Sequence, residues 1–153
     1  KAIGMALNYE DIVTYDLWQF IDQMGRIGDF FLIHVVRNPI ACYVAKALAN
    51  TDKRTVMLDE QKLIKFVRSH AAYQLKIDAL CEDKVVIDYT ELIMDYTTVM
   101  TNLLTFMEID QAVVTPKLSV IKPDIRSRIS NLALLRTKLP PDVLEYLNAP
   151  TLF

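Results

Sequence analysis

Glycine is scarce in this chain: three residues in 153, and no glycine-rich stretch of the kind that cradles phosphates by backbone N–H groups. Cysteine is scarcer still. Two residues, Cys42 and Cys81, cannot make a disulfide framework, and neither has metal-ligand spacing, so both read as buried free thiols. No apolar run approaches the roughly 20 residues of a membrane helix. These residues are not expected to carry a signal peptide. There is no basic tail and no long charge block. A net charge of -2 gives non-specific nucleic-acid binding little electrostatic support. Repeats and low-complexity segments are absent too. What remains is ordinary globular composition, 52% hydrophobic and 24% charged, in a length that suits one domain with a real core. Lys1 is not a methionine and is followed directly by apolar sequence, so the chain is expected to be the C-terminal part of a longer one. Sparse cysteine leans towards the cytoplasm without settling a compartment.

Short apolar runs alternate with helical periodicity. "KAIGMAL" reads as a buried strand. Val13, Leu17, Phe20, Ile21 and Met24 repeat at helical spacing and predict a helix over Asp11 to Met24. "GRIGD" then marks a break. "FFLIHVV", Phe30 to Val36, suits a strand buried on both faces of a parallel sheet. Asn38-Pro39 supplies an N-cap and a first-turn proline for a helix whose face is Ile40, Val44, Ala47 and Leu48. Asp59 caps a long helix with the stripe Leu63, Val67, His70, Tyr73, Ile77 and Leu80. "KVVIDY", Lys84 to Tyr89, is a further strand. Leu92 to Met107 carries the clearest helical periodicity of all. Thr115 to Arg128, with two prolines and a single acid, reads as a basic loop, and Asn131 to Lys138 as a last helix stopped by Pro140-Pro141. The tail beyond reads as peripheral. Strands alternating with helices predict an α/β fold, a parallel sheet with flanking helices, with ligands at the carboxyl ends of the strands.

One residue stands out on that edge. Arg37 ends a buried strand and directly precedes a helix N-terminus. The two together make an anion site: a planar guanidinium fork beside unpaired N–H groups and the positive end of a helix dipole. The competing reading pairs Arg37 with a nearby carboxylate or sets it as a cap on a neighbouring helix. His34, inside its strand, and His70, on an apolar stripe, read as core histidines. Trp18 reads as packing, with a sugar-lining role as the alternative. Glu10 and Asp11 follow the first strand and could carry a general base, although an acid at a helix start is ordinary.

"FFLIHVVRNPIACYVAKALA" resembles the 3'-phosphate-binding segment of sulfotransferases that use 3'-phosphoadenosine-5'-phosphosulfate (PAPS): a strand, Arg-Asp/Asn-Pro, and a helix. "VVIDYTELIMDYTTVMTNLLTFMEI" is similar to a second stretch of that family, commonly Tyr-Glu-Asp-Leu and a long helix. "IKPDIRSRISNLALLRTKL" resembles the C-terminal basic loop of its carbohydrate and nodulation-type members. "KAIGMALNYEDI" is like the strand after the family's first phosphate loop. The four stretches stand in family order over about residues 1 to 139. The resemblance implies a single sulfotransferase-like domain of P-loop-nucleotide-hydrolase-like architecture. It implies PAPS as co-substrate, a carbohydrate-type hydroxyl as acceptor, and no metal. Arg37 would hold the 3'-phosphate, with Lys122, Arg126 and Arg128 closing a basic loop over the nucleotide. Arg126 is the best match to the family arginine before Ile-Ser-Asn. Asn131 is expected to cap its helix rather than touch ligand. Three departures stand against this. The family serine falls on Ala45, Tyr-Glu-Asp-Leu reads Tyr89-Thr90-Glu91-Leu92, and the loop for the 5'-phosphosulfate has no counterpart in these residues. The alternatives are a small kinase, with Asp88 as its metal-holding acid, and a non-catalytic binding module.

Overall fold

The structure, a computed structural model, describes residues 16–27, 31–80, 84–109 and 124–150. Among these it forms seven α-helices, one short 3₁₀ turn and a two-stranded parallel sheet. The candidate strand "KAIGMAL", Glu10, Asp11, Cys81 and Lys122 lie outside the described residues, and so does the side chain of Trp18.

Helix α1 (Leu17–Ile27) starts where Asp16 accepts from the Gln19 amide at 3.2 Å. It continues through Gly25 to Ile27, past the break that the "GRIGD" stretch predicts. Strand β1 (Leu32–Val36) runs parallel to β2 (Lys84–Asp88), with Leu32 opposite Lys84 and Val36 opposite Asp88. A parallel pair needs a long crossover, and α2 (Pro39–Ala49) and α3 (Glu60–Leu80) lie along it. The strand–helix–helix–strand part of the predicted order, from Phe30 to Tyr89, is therefore present.

The expectation that β1 is buried on both faces is corrected. Ile33 and Val35 are 39% and 43% exposed, and Val86 on β2 is 53% exposed. Among the described residues the sheet has only two strands. The main core lies instead between helices. Ile40, Ala41 and Val44 of α2 pack with Leu63 and Val67 of α3, and with Val56, Leu58, Ile125 and Ile129 from the connecting segments. The helical spacing of Ile40, Val44, Ala47 and Leu48 is what turns one face of α2 into that core.

The single helix expected over Leu92 to Met107 is two. Helix α4 (Tyr89–Met94) stops at Asp95, whose backbone leaves the helical region and whose carboxylate accepts from the Thr98 amide at 3.2 Å to start α5 (Tyr96–Phe106). A short acidic side chain competes for backbone N–H groups, so it serves better as a cap than inside a helix.

The predicted basic loop ends in a 3₁₀ turn, Ile125–Arg128, capped by Asp124. It runs into a single parallel bridge, Val56 to Ile129, closed by Val56 N–H to Arg128 O at 2.8 Å and Ser130 N–H to Val56 O at 2.9 Å. Asn131 extends this bridge. Its amide accepts from Leu58 N–H at 3.0 Å and donates to Leu58 O at 2.9 Å. It makes no side-chain cap on α6 (Leu132–Lys138), which corrects the capping expectation: two good backbone partners outcompete one.

The tail is also corrected. Pro141 does not merely stop a helix; it opens α7 (Pro141–Leu147), as a proline at the first helical position can. Val143 and Leu147 are fully buried in the core. Arg68 on α3 grips Asp142 by two bonds, at 2.9 and 3.2 Å, and aligns the two helices.

Asn38 ties the β1–α2 junction to α7. Its side-chain oxygen caps α2 at Ile40 N–H (2.9 Å) and Ala41 N–H (3.4 Å), and its amide donates to Tyr146 O at 2.8 Å. Asn38→Ala removes a helix cap and a partly buried hydrogen bond, so it is expected to cost about 2 kcal/mol in urea unfolding. Asn38→Asp keeps the cap but not the donor and is expected to lose about half as much.

Candidate functional site

The carboxyl ends of the two strands open onto a pocket of about 270 Å³. Both following helices begin there, for the same local reason. Asn38 after β1 and Asp88 at the end of β2 each turn a side-chain oxygen onto the next N–H groups and start a helix. Asp88 accepts from Thr90 N–H at 2.6 Å and from Glu91 N–H at 3.4 Å. The pocket lining includes Val36, Arg37, Asn38 and Pro39 from β1 and α2, and Asp88 and Thr90 from β2 and α4. Gln74 of α3 closes one side, and Tyr146 and Ala149 at the end of α7 close another.

Arg37 is half-buried, and its guanidinium carbon lies 4.3 Å from the centre of the Tyr89 ring. Parallel register explains the meeting. Val36 faces Asp88, so the residues that follow each strand come side by side. Stacking on a ring fixes the orientation of the guanidinium plane. Arg37 also reaches Cys42 electrostatically. Burial pushes the Cys42 thiol up, and the neighbouring guanidinium offsets part of that shift. The lining carries one charge of each sign. Asp88 directs one oxygen onto its own helix, which turns that part of its charge away from the pocket.

The other residues picked out in the sequence sit differently. Arg126 is part-buried beside this pocket, not in its lining. Its Nε and Nη2 fork onto Asp124 at 2.6 to 2.9 Å, and its Nη1 donates to Ala149 O at 3.2 Å, so it touches the pocket through Ala149. The Arg126 guanidinium holds the Asp124 carboxyl below the usual carboxylate range. Arg128 points its Nη1 at Arg54 O, 3.2 Å away, and fastens the bridge at Val56. Ala45 lies on α2, outside the lining. His34 and His70 are buried, at 5% and 4% exposure, as core histidines should be. Among the described residues no three His, Cys, Asp or Glu side chains converge as a metal-ligand set, and no helix is long and apolar enough to cross a membrane.

Tyr89, Gln74 and Tyr146 were not picked out as pocket residues. Tyr89 was within reach, since it follows a predicted parallel strand just as Arg37 does. Gln74 and Tyr146 carry no such signal, because their place depends on how α3 and α7 dock. A comparison with known protein families, curated proteins and solved structures finds no match.

Proposed function

We propose that this chain is part of a PAPS-dependent sulfotransferase, with sulfotransferase-like, P-loop-nucleotide-hydrolase-like architecture, acting on a carbohydrate-type hydroxyl. The observation that carries this reading is Arg37, stacked on Tyr89 at 4.3 Å and lining a pocket at the strand ends. On this reading Arg37 holds the 3'-phosphate of the donor by a charge-assisted fork. The ribose lies towards Asp88, whose second oxygen accepts from a hydroxyl. A volume of about 270 Å³ suits a phosphate and its sugar, with the base reaching beyond. The acceptor hydroxyl gives its proton to a general base, for which Glu10 and Asp11 are the candidates, as its oxygen attacks sulfur in line. The bond from sulfur to the bridging phosphate oxygen breaks, and adenosine 3',5'-bisphosphate leaves. Such a transfer depends on positioning and charge stabilisation. Arg126 and Arg128, with Lys122, are proposed to flank the nucleotide. To do so, Arg126 would exchange its grip on Asp124 for phosphate.

Asp88 at the strand tip favours a second reading, a small kinase binding a magnesium nucleotide. Ala45 in place of the family serine favours a third, a non-catalytic module. Calorimetric titration, in EDTA for the adenosine phosphates and separately with magnesium for ATP, separates the first reading from the others. The first reading expects adenosine 3',5'-bisphosphate to bind at least about tenfold more tightly than adenosine 5'-monophosphate, one charge-assisted contact being worth that much or more. Equal affinity for the two, or binding only of ATP with magnesium, would overturn it.

A further inference from the structure

The helix starts at the strand-end pocket are already capped. The first N–H groups of α2, at Ile40 and Ala41, point at the Asn38 side-chain oxygen, 2.9 and 3.4 Å away. Those of α4, at Thr90 and Glu91, point at Asp88 in the same way. These are the N–H groups that a phosphate at a helix start would ordinarily use. The Asn38 amide nitrogen is engaged as well, donating to Tyr146 O at 2.8 Å. An anion beside Arg37 therefore needs side-chain donors to complete its shell.

Gln74 is placed to be one. It is the one residue that α3 brings to the pocket lining, and α3 brings no acid there. It belongs to the inward stripe of its helix. His70, one turn before it, and Ile77, nearly one turn after it, are both buried. Gln74 itself is half-buried. Leu63 and Val67 fill earlier positions of that stripe with apolar side chains. Gln74 sets an amide there instead, and among the described residues that amide has no hydrogen-bond partner.

We propose that Gln74 is a ligand of the same phosphate as Arg37, its amide N–H donating to the oxygen that the guanidinium leaves over. The proposal rests on the sulfotransferase reading, which puts a phosphate against Arg37. A phosphate monoester offers three terminal oxygens, and a guanidinium fork takes two. A neutral donor suits the third, because it adds a hydrogen bond without a second charge to desolvate. Thr90 is the poorer candidate. It stands directly on Asp88, whose carboxylate its N–H caps at 2.6 Å and which repels a phosphate.

Titration calorimetry of Gln74→Met tests this, with adenosine 3',5'-bisphosphate and adenosine 5'-monophosphate as ligands. Methionine keeps the length and helix propensity of glutamine and removes both amide groups. The bisphosphate should bind about tenfold more weakly, the value of one hydrogen bond to a charged group, while the monophosphate stays within about twofold. The urea midpoint should not move, since no protein hydrogen bond is lost. Gln74→Glu sets a carboxylate against the phosphate, so the bisphosphate should bind about a hundredfold more weakly, and added salt should narrow the gap. Unchanged bisphosphate affinity in Gln74→Met would overturn the assignment, and so would an equal loss for both ligands. The wild type separates this failure from that of the underlying reading. A wild type that does not prefer the bisphosphate overturns both. A wild type that prefers it, beside a Gln74→Met that prefers it as strongly, overturns the role of Gln74 alone.

Discussion

A chain ended after Leu139 is expected to lose its cooperative fold. Such a deletion removes Val143 and Leu147, both fully buried, and the half-buried Leu144, Tyr146 and Ala149 packed beside them. Each fully buried aliphatic side chain is worth about 1.5–3 kcal/mol of transfer free energy. Two such residues with partial burial of three more approach the whole stability of a small domain, about 5–15 kcal/mol. The deletion also strips the Asn38 amide of Tyr146 O, Arg126 of Ala149 O and Arg68 of Asp142. Circular dichroism and urea unfolding check the outcome. A cooperative transition near that of the intact chain would show that α7 is an accessory. Leu147→Ala is the gentler probe, expected to cost about 3 kcal/mol through lost contacts and a residual cavity.

Arg37→Ala is expected to cost about a hundredfold in affinity for adenosine 3',5'-bisphosphate while leaving folding stability within about 1 kcal/mol. The asymmetry follows from the fold contact of the side chain and the phosphate role proposed for it. A stacked, half-exposed guanidinium contributes about 0.5–1 kcal/mol to the fold. Charge-assisted bonds to a phosphate contribute about 1.5–3 kcal/mol, and 2.7 kcal/mol corresponds to roughly a hundredfold in the dissociation constant. Arg37→Lys keeps the charge but loses the fork and the flat stacking surface, so its affinity should fall between the two. Titration calorimetry beside urea unfolding separates the effects. A large loss of stability with unchanged affinity would make Arg37 a structural residue.

The parts of this molecule that follow from local chemistry were legible in its sequence. β1, the Asn38 cap with Pro39, the core face of α2, the long α3 and the strand at Lys84 all appear where apolar spacing and capping residues put them. So does the position of Arg37 at a strand tip beside a helix start. What could not be read depends on docking. Asp95 breaks a long apolar periodicity because its carboxylate caps a helix, and periodicity does not register that choice. Asn131 prefers the backbone of Leu58, 73 residues away, to its own helix. The seven residues of α7 look peripheral because a short helix after two prolines carries little local signal. Their burial comes from α2 and α3. The two walls of the pocket given by Gln74 and Tyr146 depend on that same packing.

The central claim is that a phosphate sits at the tip of β1 against Arg37. Proton–nitrogen correlation spectra of the labelled chain, recorded as adenosine 3',5'-bisphosphate is added, test it most directly. The account predicts saturable shifts concentrated at the Arg37 Nε–H and at the amides of residues 37, 40, 41, 90 and 91, with the amides of α6 unmoved. Shifts scattered over surface lysines, or none at these positions at saturating ligand, would contradict it.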